Sequence, residues 1–244
     1  MRRRAHRTRT ALAVIAASFT VLALTAQDTA ATAPASADLV ATAHAAEGVT
    51  APVDVRSGVG RLPRGGHARS TATASAECVG CDGRARTVQV VYADGPEVAA
   101  DNVAAAWSSC VDCGSSSVAV QLVLLGRKTT QVTLANRALA LNAACDGCTT
   151  SALAVQFVIA GGKRRELTAQ ARALLAELAT QLQLDLGTPW PGRQGARSTE
   201  PGARALTGGG TSPEERSVAR VANSLRSEFG PSTVTVHLDV RHAP

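Results

Sequence analysis

Apolar and polar positions alternate along three segments in the middle of the chain, each of them directly after a pair of cysteines. Alternation with a period of two and many branched residues predicts β-strands. One parity is bulky and apolar: Val88, Val90 and Tyr92, then Val118, Val120, Leu122 and Leu124, then Leu153, Val155, Phe157 and Ile159. The other parity carries small residues and one glutamine. We therefore expect strands with one bulky face and one small-residue face.

The cysteine pairs and the glutamines share one register. The pairs are Cys78/Cys81, Cys110/Cys113 and Cys145/Cys148, and the glutamines are Gln89, Gln121 and Gln156. Each glutamine lies 11 residues after the first cysteine of its pair, and successive copies are 32 and 35 residues apart. Three pairs in one register inside a longer self-similar unit indicate a repeat.

The segments in front of the cysteine pairs decide the fold class. They read STATASA, NVAAAWS and NRALALN, which alternate like strands although their alanine favours helix. If they are strands, each unit is a β-hairpin turned by Cys-x-x-Cys; if they are helices, the units are strand–helix (βα) repeats. We expect the first alternative. The predicted fold is α+β: an antiparallel sheet of three hairpin repeats in residues 70–185, with an amphipathic helix packed on its bulky face.

The end of the chain shows helical and then strand periodicity. One helix presents Leu167, Ala171, Leu174, Leu175, Leu178 and Leu182 on one face. A Pro/Gly-rich linker is expected at residues 186–211. Residues 212–244 are expected to form a helix that starts at a Ser212/Glu215 capping box and ends at Gly230, followed by a strand. That appendage strand alternates Val234, Val236, Leu238 and Val240 with polar residues.

A disulfide within each cysteine pair is the expected chemistry. The ends of a four-residue turn approach within about 7 Å, which suits a disulfide, and a turn-forming residue occupies the third place in each pair: Gly80, Asp112 and Gly147. A redox-active pair would instead open a helix, whose dipole lowers the thiol pKa. A zinc site pairs ligand sets about 15 to 20 residues apart, whereas the gaps here are 28 and 31 residues. Disulfides between neighbouring pairs stay open as an alternative.

No catalytic residue, cofactor site or metal site is expected. The glutamines are expected to bond to one another or to the backbone on the small-residue face, and an extended ligand along their row is the alternative. His237 and Asp239 alternate with the apolar residues of the last strand, and we interpret them as a solvated face.

The N-terminus predicts export. The start MRRRAHRTRT carries five arginines, and residues 11–26 form an uncharged apolar run that is short for a membrane span. Residues 1–26 are expected to be a signal peptide, with cleavage possible as late as residue 37, and residues 27–69 a disordered low-complexity spacer. Without residues 1–26 the formal charge falls from +6 to +1, and aromatic residues make up 2% of the chain. Both features argue against nucleic-acid binding.

The third unit carries a recognisable pattern. It reads Asn136-x-Ala138-x-Ala140-x-Asn142-x-x-Cys145-x-x-Cys148, followed by Ala152-x-Ala154-x-Gln156-x-Val158. This pattern resembles one in uncharacterised secreted Cys-x-x-Cys-repeat proteins of high-GC Gram-positive bacteria. The second unit matches in part, because Asn102 is displaced by one position, and the first matches only at Cys78, Cys81 and Gln89. The resemblance implies a repeat and export, and it implies no activity.

These observations predict an exported, disulfide-stapled structural or binding module without catalytic activity, located outside the cell or at its surface. The sequence leaves its partner open, with a cell-surface protein or the wall as candidates, and contact with the membrane would come only through an uncleaved signal segment. The alternatives are a thiol–disulfide exchange or redox-sensing protein of the envelope and a metal-binding envelope protein.

Overall fold

The chain folds into a β-solenoid of about four turns flanked by two helices. The computed structural model describes residues 35–161, 166–187, 204–205 and 212–243. The strands are β1 (Ala35–Ala45), β2 (Val53–Leu62), β3 (Gly66–Ala76), β4 (Asp82–Ala93), β5 (Glu97–Ser108), β6 (Gly114–Leu125), β7 (Gln131–Asn142), β8 (Thr149–Gly161), β9 (Arg204–Ala205) and β10 (Ser232–Ala243). The helices are α1 (Ala169–Gly187) and α2 (Pro213–Phe229).

Two facing sheets form the solenoid. The first, four-stranded sheet has the order β1-β3-β5-β7, and the second, six-stranded sheet has the order β2-β4-β6-β8-β10-β9. Neighbours among β1 to β8 are parallel and one solenoid turn apart in sequence. The chain therefore alternates between the sheets at every corner, and equivalent residues of successive turns lie side by side.

The predicted antiparallel hairpin sheet is wrong, and so is the strand–helix alternative. The segments before the cysteine pairs are strands, but each Cys-x-x-Cys turn carries the chain from the first sheet to the second instead of folding it back on itself. Strands β6 and β8 are buried on both faces over most of their length. A hairpin sheet covered by a helix on one face leaves the other face in water, whereas strands buried on both faces are typical of parallel sheets.

Small side chains fill most of the space between the two sheets. Ten alanines from both sheets form this interior cluster: Ala41, Ala43, Ala72, Ala74, Ala85, Ala104, Ala106, Ala119, Ala152 and Ala154. At the same level Ser70 Oγ donates a hydrogen bond of 2.9 Å to Thr87 Oγ1 across the interior. Methyl-sized side chains allow close approach of the sheets, so the small-residue parity of the sequence faces inward.

The bulky parity points out of the solenoid and is covered by the helices. Helix α1 contacts β4, β6 and β8, and α2 contacts β10 and α1. Leu175 and Leu182 of α1 and Phe229 of α2 are almost completely buried in the cluster that contains Leu122 and Phe157. The predicted helix is confirmed, but it begins at Ala169, so Leu167 is buried just before it. Of the other predicted residues only Leu174 is half-buried rather than buried. The main hydrophobic core therefore lies outside the solenoid, between the second sheet and the helices.

The predicted spacer is wrong where the structure describes it. Residues 35–69 form β1, β2 and the first part of β3, which are the first turn of the solenoid and the beginning of the second. Their composition is poor in large apolar residues because most of the interior that they line is filled by small ones, such as the buried Ala41 and Ala43. Leu62 is the exception and is completely buried in the interior. Low hydrophobicity here reflects a narrow interior, not disorder.

The last helix and strand are confirmed as elements, but they are part of the body of the fold. Ser212 caps α2 through the predicted capping box with Glu215, and Gly230 ends the helix with a positive φ of 68°. Strand β10 then joins the second sheet antiparallel to β8, so it terminates the parallel ladder. At this end Asp239 Oδ2 accepts the backbone N–H of Ala138 in β7 at 2.9 Å.

Two of the predicted segments lie wholly or mostly outside the residues that the structure describes. The predicted signal peptide lies outside the described residues, as does most of the predicted linker except the end of α1 and the two residues of β9. Among the described residues, neither helix has the length and apolar character to cross a membrane.

Substitutions in helix α1 can test whether the main hydrophobic core lies between this helix and the second sheet. Leu175→Asp places a carboxylate at a side chain that is 0% exposed. We expect it to lower the free energy of unfolding by roughly 3 to 5 kcal/mol, from lost packing and from a buried charge. Leu184→Asp, at a side chain that is 57% exposed in the same helix, should change it by less than about 1 kcal/mol. Urea unfolding of both variants measures the difference, and equal effects would contradict the location of the core.

Candidate functional site

The three Cys-x-x-Cys turns stack along one corner of the solenoid. We call residues 78–81, 110–113 and 145–148 the cysteine ridge. Within each pair the sulfur atoms lie at disulfide distance, with Cα–Cα distances of 5.3, 5.9 and 5.7 Å, so the pairing within each turn agrees with the expectation. The first solenoid turn has no pair, because its register places Glu47 and Thr50 at the equivalent positions.

Backbone geometry fixes the shape of the cysteine ridge. The third residue of each turn, Gly80, Asp112 or Gly147, has a positive φ of 69°, 52° or 68°, as its residue type predicted. Successive turns are joined by backbone hydrogen bonds from Gly80 N to Val111 O at 3.2 Å and from Asp112 N to Asp146 O at 2.8 Å. The turns thus continue the parallel ladder at the corner and hold the pairs close together.

Asn102 occupies the same strand register as Asn136, although the sequence pattern suggested a displacement by one position. It is the strand neighbour of Asn136, although its distance from the following cysteine is one residue shorter. The additional residue lies between the end of β7 and Cys145, where Ala144 has a positive φ of 51°. The displacement seen in the sequence is therefore absorbed there and does not shift the strands.

Sulfur atoms of neighbouring turns are in contact. Cys113 Sγ lies 3.2 Å from Cys148 Sγ and 3.9 Å from Cys145 Sγ. The sequence gaps that argued against a shared site correspond to one solenoid turn, so that argument fails. If reduced, these three thiols would lie within 4.8 Å of one another, a suitable distance for a soft metal ion or for exchange of sulfur–sulfur bonds.

The glutamine row crosses the solenoid interior. Gln121 Nε2 donates to Gln89 Oε1 at 2.7 Å, and Gln156 Nε2 donates to Gln121 Oε1 at 2.6 Å. Each amide also reaches a backbone carbonyl of the first sheet, for Gln156 that of Ala100 at 3.1 Å. The expected bonding among the glutamines and to backbone is confirmed. The row is buried, with exposed fractions of 3% or less, so its amides face no solvent-filled groove.

Asn102 and Asn136 of the first sheet donate hydrogen bonds to backbone carbonyls of the second sheet, the reverse of the glutamines. The sequence patterns assigned these two asparagines no role. Asn102 Nδ2 donates to the carbonyls of Ala119 and Val155 in the second sheet at 2.9 and 3.0 Å, and to Asn136 Oδ1 at 2.8 Å. The sequence could have indicated this role, because both asparagines stand in the alternating segments before the cysteines, at positions of the buried parity. Their buried amides lock the register between the sheets.

His237 and Asp239 do not form a purely solvated face. His237 is the strand neighbour of Gln156, so it continues the glutamine row at the end of the solenoid, and partial burial lowers the pKa of its imidazole from the usual value. Gln156 Oε1 is buried and has no hydrogen-bond partner. The last acceptor of the glutamine row, Gln156 Oε1, therefore receives no hydrogen bond from His237, the next residue in line.

The outer face of the first sheet is not covered by the helices. It carries exposed apolar side chains near the cysteine ridge, and we call Trp107, Leu139 and Leu141 the apolar corner. Their exposed fractions are 38%, 51% and 52%. Farther along the strands, Asp101 forms ion pairs with His67 at 3.4 Å and with Arg69 at 3.6 Å. This face combines an apolar end with a charged end.

Within the part of the chain that the structure describes, two of the grooves lie on the outside of the solenoid. One, of about 360 Å³, runs between α1 and α2 and is lined by Leu174 and Arg220 among others. The second, of about 270 Å³, adjoins Tyr92, over whose ring the Arg61 guanidinium lies at 4.6 Å. Among the described residues that line these grooves there is no histidine and no cysteine.

Comparisons of the chain with protein-family models, with curated proteins and with solved structures found no match. The residues themselves are thus the basis for any functional conclusion. The groups that the fold brings together are the sulfur atoms of the cysteine ridge, the buried amides and the apolar corner.

The middle of the glutamine row tests the contribution of the buried amides. Gln121→Met keeps the shape of the side chain but leaves Gln89 Oε1 without its donor and Gln156 Nε2 without one of its acceptors. We expect a loss of about 2 kcal/mol in the free energy of unfolding. Gln131→Met, at an exposed position of β7, is the matched control. Similar unfolding midpoints in urea for both variants would show that the row contributes little.

His237 gives the fold a pH dependence. Because burial lowers its pKa below 6.5, the unfolded chain binds the proton more readily, so the contribution to stability is full above about pH 6.5 and decreases below it. His237→Gln removes this titration and supplies a donor for Gln156 Oε1. We expect the variant to be more stable than the wild type at pH 5 and to show a flatter profile of melting temperature against pH. A variant whose melting temperature falls as steeply as that of the wild type between pH 7 and pH 5 would contradict the role of His237.

Proposed function

We propose that the protein is an exported, disulfide-stapled binding module without catalytic activity, which presents the outer face of its first sheet to a wall or cell-surface partner. The observation that carries the proposal is the difference between the two outer faces. Helices cover the bulky outer faces of β4, β6, β8 and β10 in the second sheet, whereas the apolar corner of the first sheet stays 38 to 52% exposed. Exposed apolar clusters with polar surroundings are typical of interaction sites.

The polar interior supports a structural role for the solenoid. The amides of the glutamine row and of Asn102 and Asn136 donate to each other and to the opposite sheet. Groups engaged in this way rigidify the scaffold and are not available to a substrate. A rigid sheet lowers the entropic cost of binding at its surface.

Closed cysteine pairs support export. Disulfides persist in oxidising compartments and are rare in the cytosol, and all six cysteines lie in pairs at disulfide distance. The arginine-rich start and the apolar run of residues 11–26 supply the corresponding signal. Both observations favour a location outside the cell or at its surface.

A thiol–disulfide exchange function is the second candidate. The contact of 3.2 Å between Cys113 Sγ and Cys148 Sγ favours it, because exchange needs a thiolate close to a sulfur of another disulfide. Metal binding by reduced Cys113, Cys145 and Cys148 ranks third, since it requires two open disulfides.

A sedimentation experiment tests the binding face. The oxidised protein is mixed with purified cell-wall fragments and centrifuged. We expect the wild-type protein in the pellet and the triple variant Trp107→Ser/Leu139→Ser/Leu141→Ser in the supernatant, with its binding reduced at least about tenfold, equivalent to 1.4 kcal/mol.

Three exposed valines of β2 provide the matched control. Val53, Val55 and Val59 are 65%, 48% and 52% exposed, and their combined change to serine should leave binding intact. Sedimentation of the triple variant like the wild type would refute the apolar corner as the binding face. A wild-type protein that stays in solution would refute the wall as the partner.

A further inference from the structure

The cysteine ridge combines sulfurs of different accessibility. Cys113 is 2% exposed, whereas Cys110, Cys145 and Cys148 are each partly exposed. A soluble thiol therefore reaches the Cys145/Cys148 pair at the end of the ridge more readily than it reaches Cys113. Cys148 Sγ at the same time contacts the buried sulfur of the next turn at 3.2 Å.

We propose that the cysteine ridge is a site of internal disulfide exchange, in which reduction of the Cys145–Cys148 bond by a small thiol is converted into a cross-link between solenoid turns, Cys113–Cys148. The proposal is independent of wall binding. It assigns a reaction to residues that otherwise act as separate staples.

The exchange begins with the external thiol. Its thiolate attacks Cys145 Sγ, forms a mixed disulfide there and releases the thiolate of Cys148. That thiolate attacks Cys113 Sγ, so the Cys113–Cys148 bond forms, the Cys110–Cys113 bond breaks and Cys110 leaves as a thiolate that takes a proton from water. A second external thiol then attacks the sulfur of the first external thiol and frees Cys145.

The electrons and atoms balance. Two external thiols are oxidised to one external disulfide, and the protein takes up two electrons and two protons, which appear as the thiols of Cys110 and Cys145. Cys110 Sγ lies 3.2 Å from Ala76 O, so its thiol has a hydrogen-bond acceptor in place. No further oxidant or reductant is needed.

Burial gives the exchange its direction. A buried sulfur is stable in a neutral disulfide, whereas a thiol that ionises is favoured where water solvates the thiolate. Exchange places the buried Cys113 in a disulfide and leaves the two thiols on the partly exposed Cys110 and Cys145. The new bond also joins residues that are 35 apart in sequence in place of a bond between residues three apart.

A variant without external reductant tests the central step. Cys110→Ser leaves Cys113 as a thiol beside the Cys145–Cys148 disulfide. We expect Cys113 to attack Cys148 and displace Cys145, so that N-ethylmaleimide added to the folded protein labels mainly Cys145 and peptide mass spectrometry finds a Cys113–Cys148 disulfide. Label mainly on Cys113, with Cys145–Cys148 intact, would overturn the proposal.

Cys113→Ser is the matched control, since it opens the same disulfide but removes the attacking sulfur. Its label should be on Cys110, with Cys145–Cys148 retained. Rearrangement of Cys145–Cys148 in this variant as well would refute the assigned role of Cys113. Circular dichroism before labelling checks that both variants have the wild-type fold.

The wild-type protein provides a second measurement that needs no variant to fold. After treatment with one equivalent of dithiothreitol and alkylation, we expect thiols on Cys110 and Cys145 in more than half of the singly reduced molecules, with Cys78–Cys81 intact. Thiols confined to Cys145 and Cys148 would overturn the proposal.

Discussion

Close approach of the two sheets is the constraint on which the rest of the structure depends. An interior filled by alanine methyl groups brings the sheets near enough for the amides of the glutamine row to reach backbone carbonyls on the opposite side. Alanine contributes little burial energy per residue. The interior therefore depends on the parallel ladders and on hydrogen-bonded amides, since a buried amide without partners costs more than its bonds return.

A narrow interior determines where the large side chains go. Most of them project from the outer face of the second sheet, and the main core forms there under α1 and α2. Leu62, Val91 and Val123 are the exceptions, because they are buried between the sheets against alanines of the first sheet. The first sheet has small or polar residues on most of its outer face and needs no cover. The exceptions are the isolated Val40 of β1 and the apolar corner. Because only the corner groups several exposed apolar side chains, it is the best candidate for a partner.

The ends of the solenoid are closed by different means. At the C-terminal end, β10 runs antiparallel to β8, and the Asp239 carboxylate occupies an edge N–H of β7. At the first turn, Asp54 Oδ2 accepts the N–H of Thr42 in β1 at 2.8 Å. Inward-pointing charges on edge strands oppose the addition of further strands, so each aspartate protects an edge of the first sheet.

Solenoid winding also converts sequence distance into contact. Cysteine pairs 32 or 35 residues apart meet because one turn of the chain separates them, and the same winding aligns the glutamines and the asparagines. A substitution at one position of the repeat thus changes the contacts of the equivalent residues in the neighbouring turns. This coupling gives the sulfur atoms of the cysteine ridge neighbours with which they can react.

Local patterns in the sequence determined the strands after the cysteines, the helix around Leu175, the capping box at Ser212 and the turn geometry at Gly80 and Gly147, because each depends on residues close together in the chain. The placement of the glutamines on the small-residue face also followed from the alternation, but only the tertiary structure decided that this face points inward. The pairing partners of the strands were decided only by the tertiary structure. A strand with one small and one bulky face suits both a hairpin and a solenoid, and the choice depends on whether the small faces of two sheets can approach. That contact also gave order to residues 35–69, brought Cys113 to Cys148 and placed His237 beside Gln156, which no local pattern specifies.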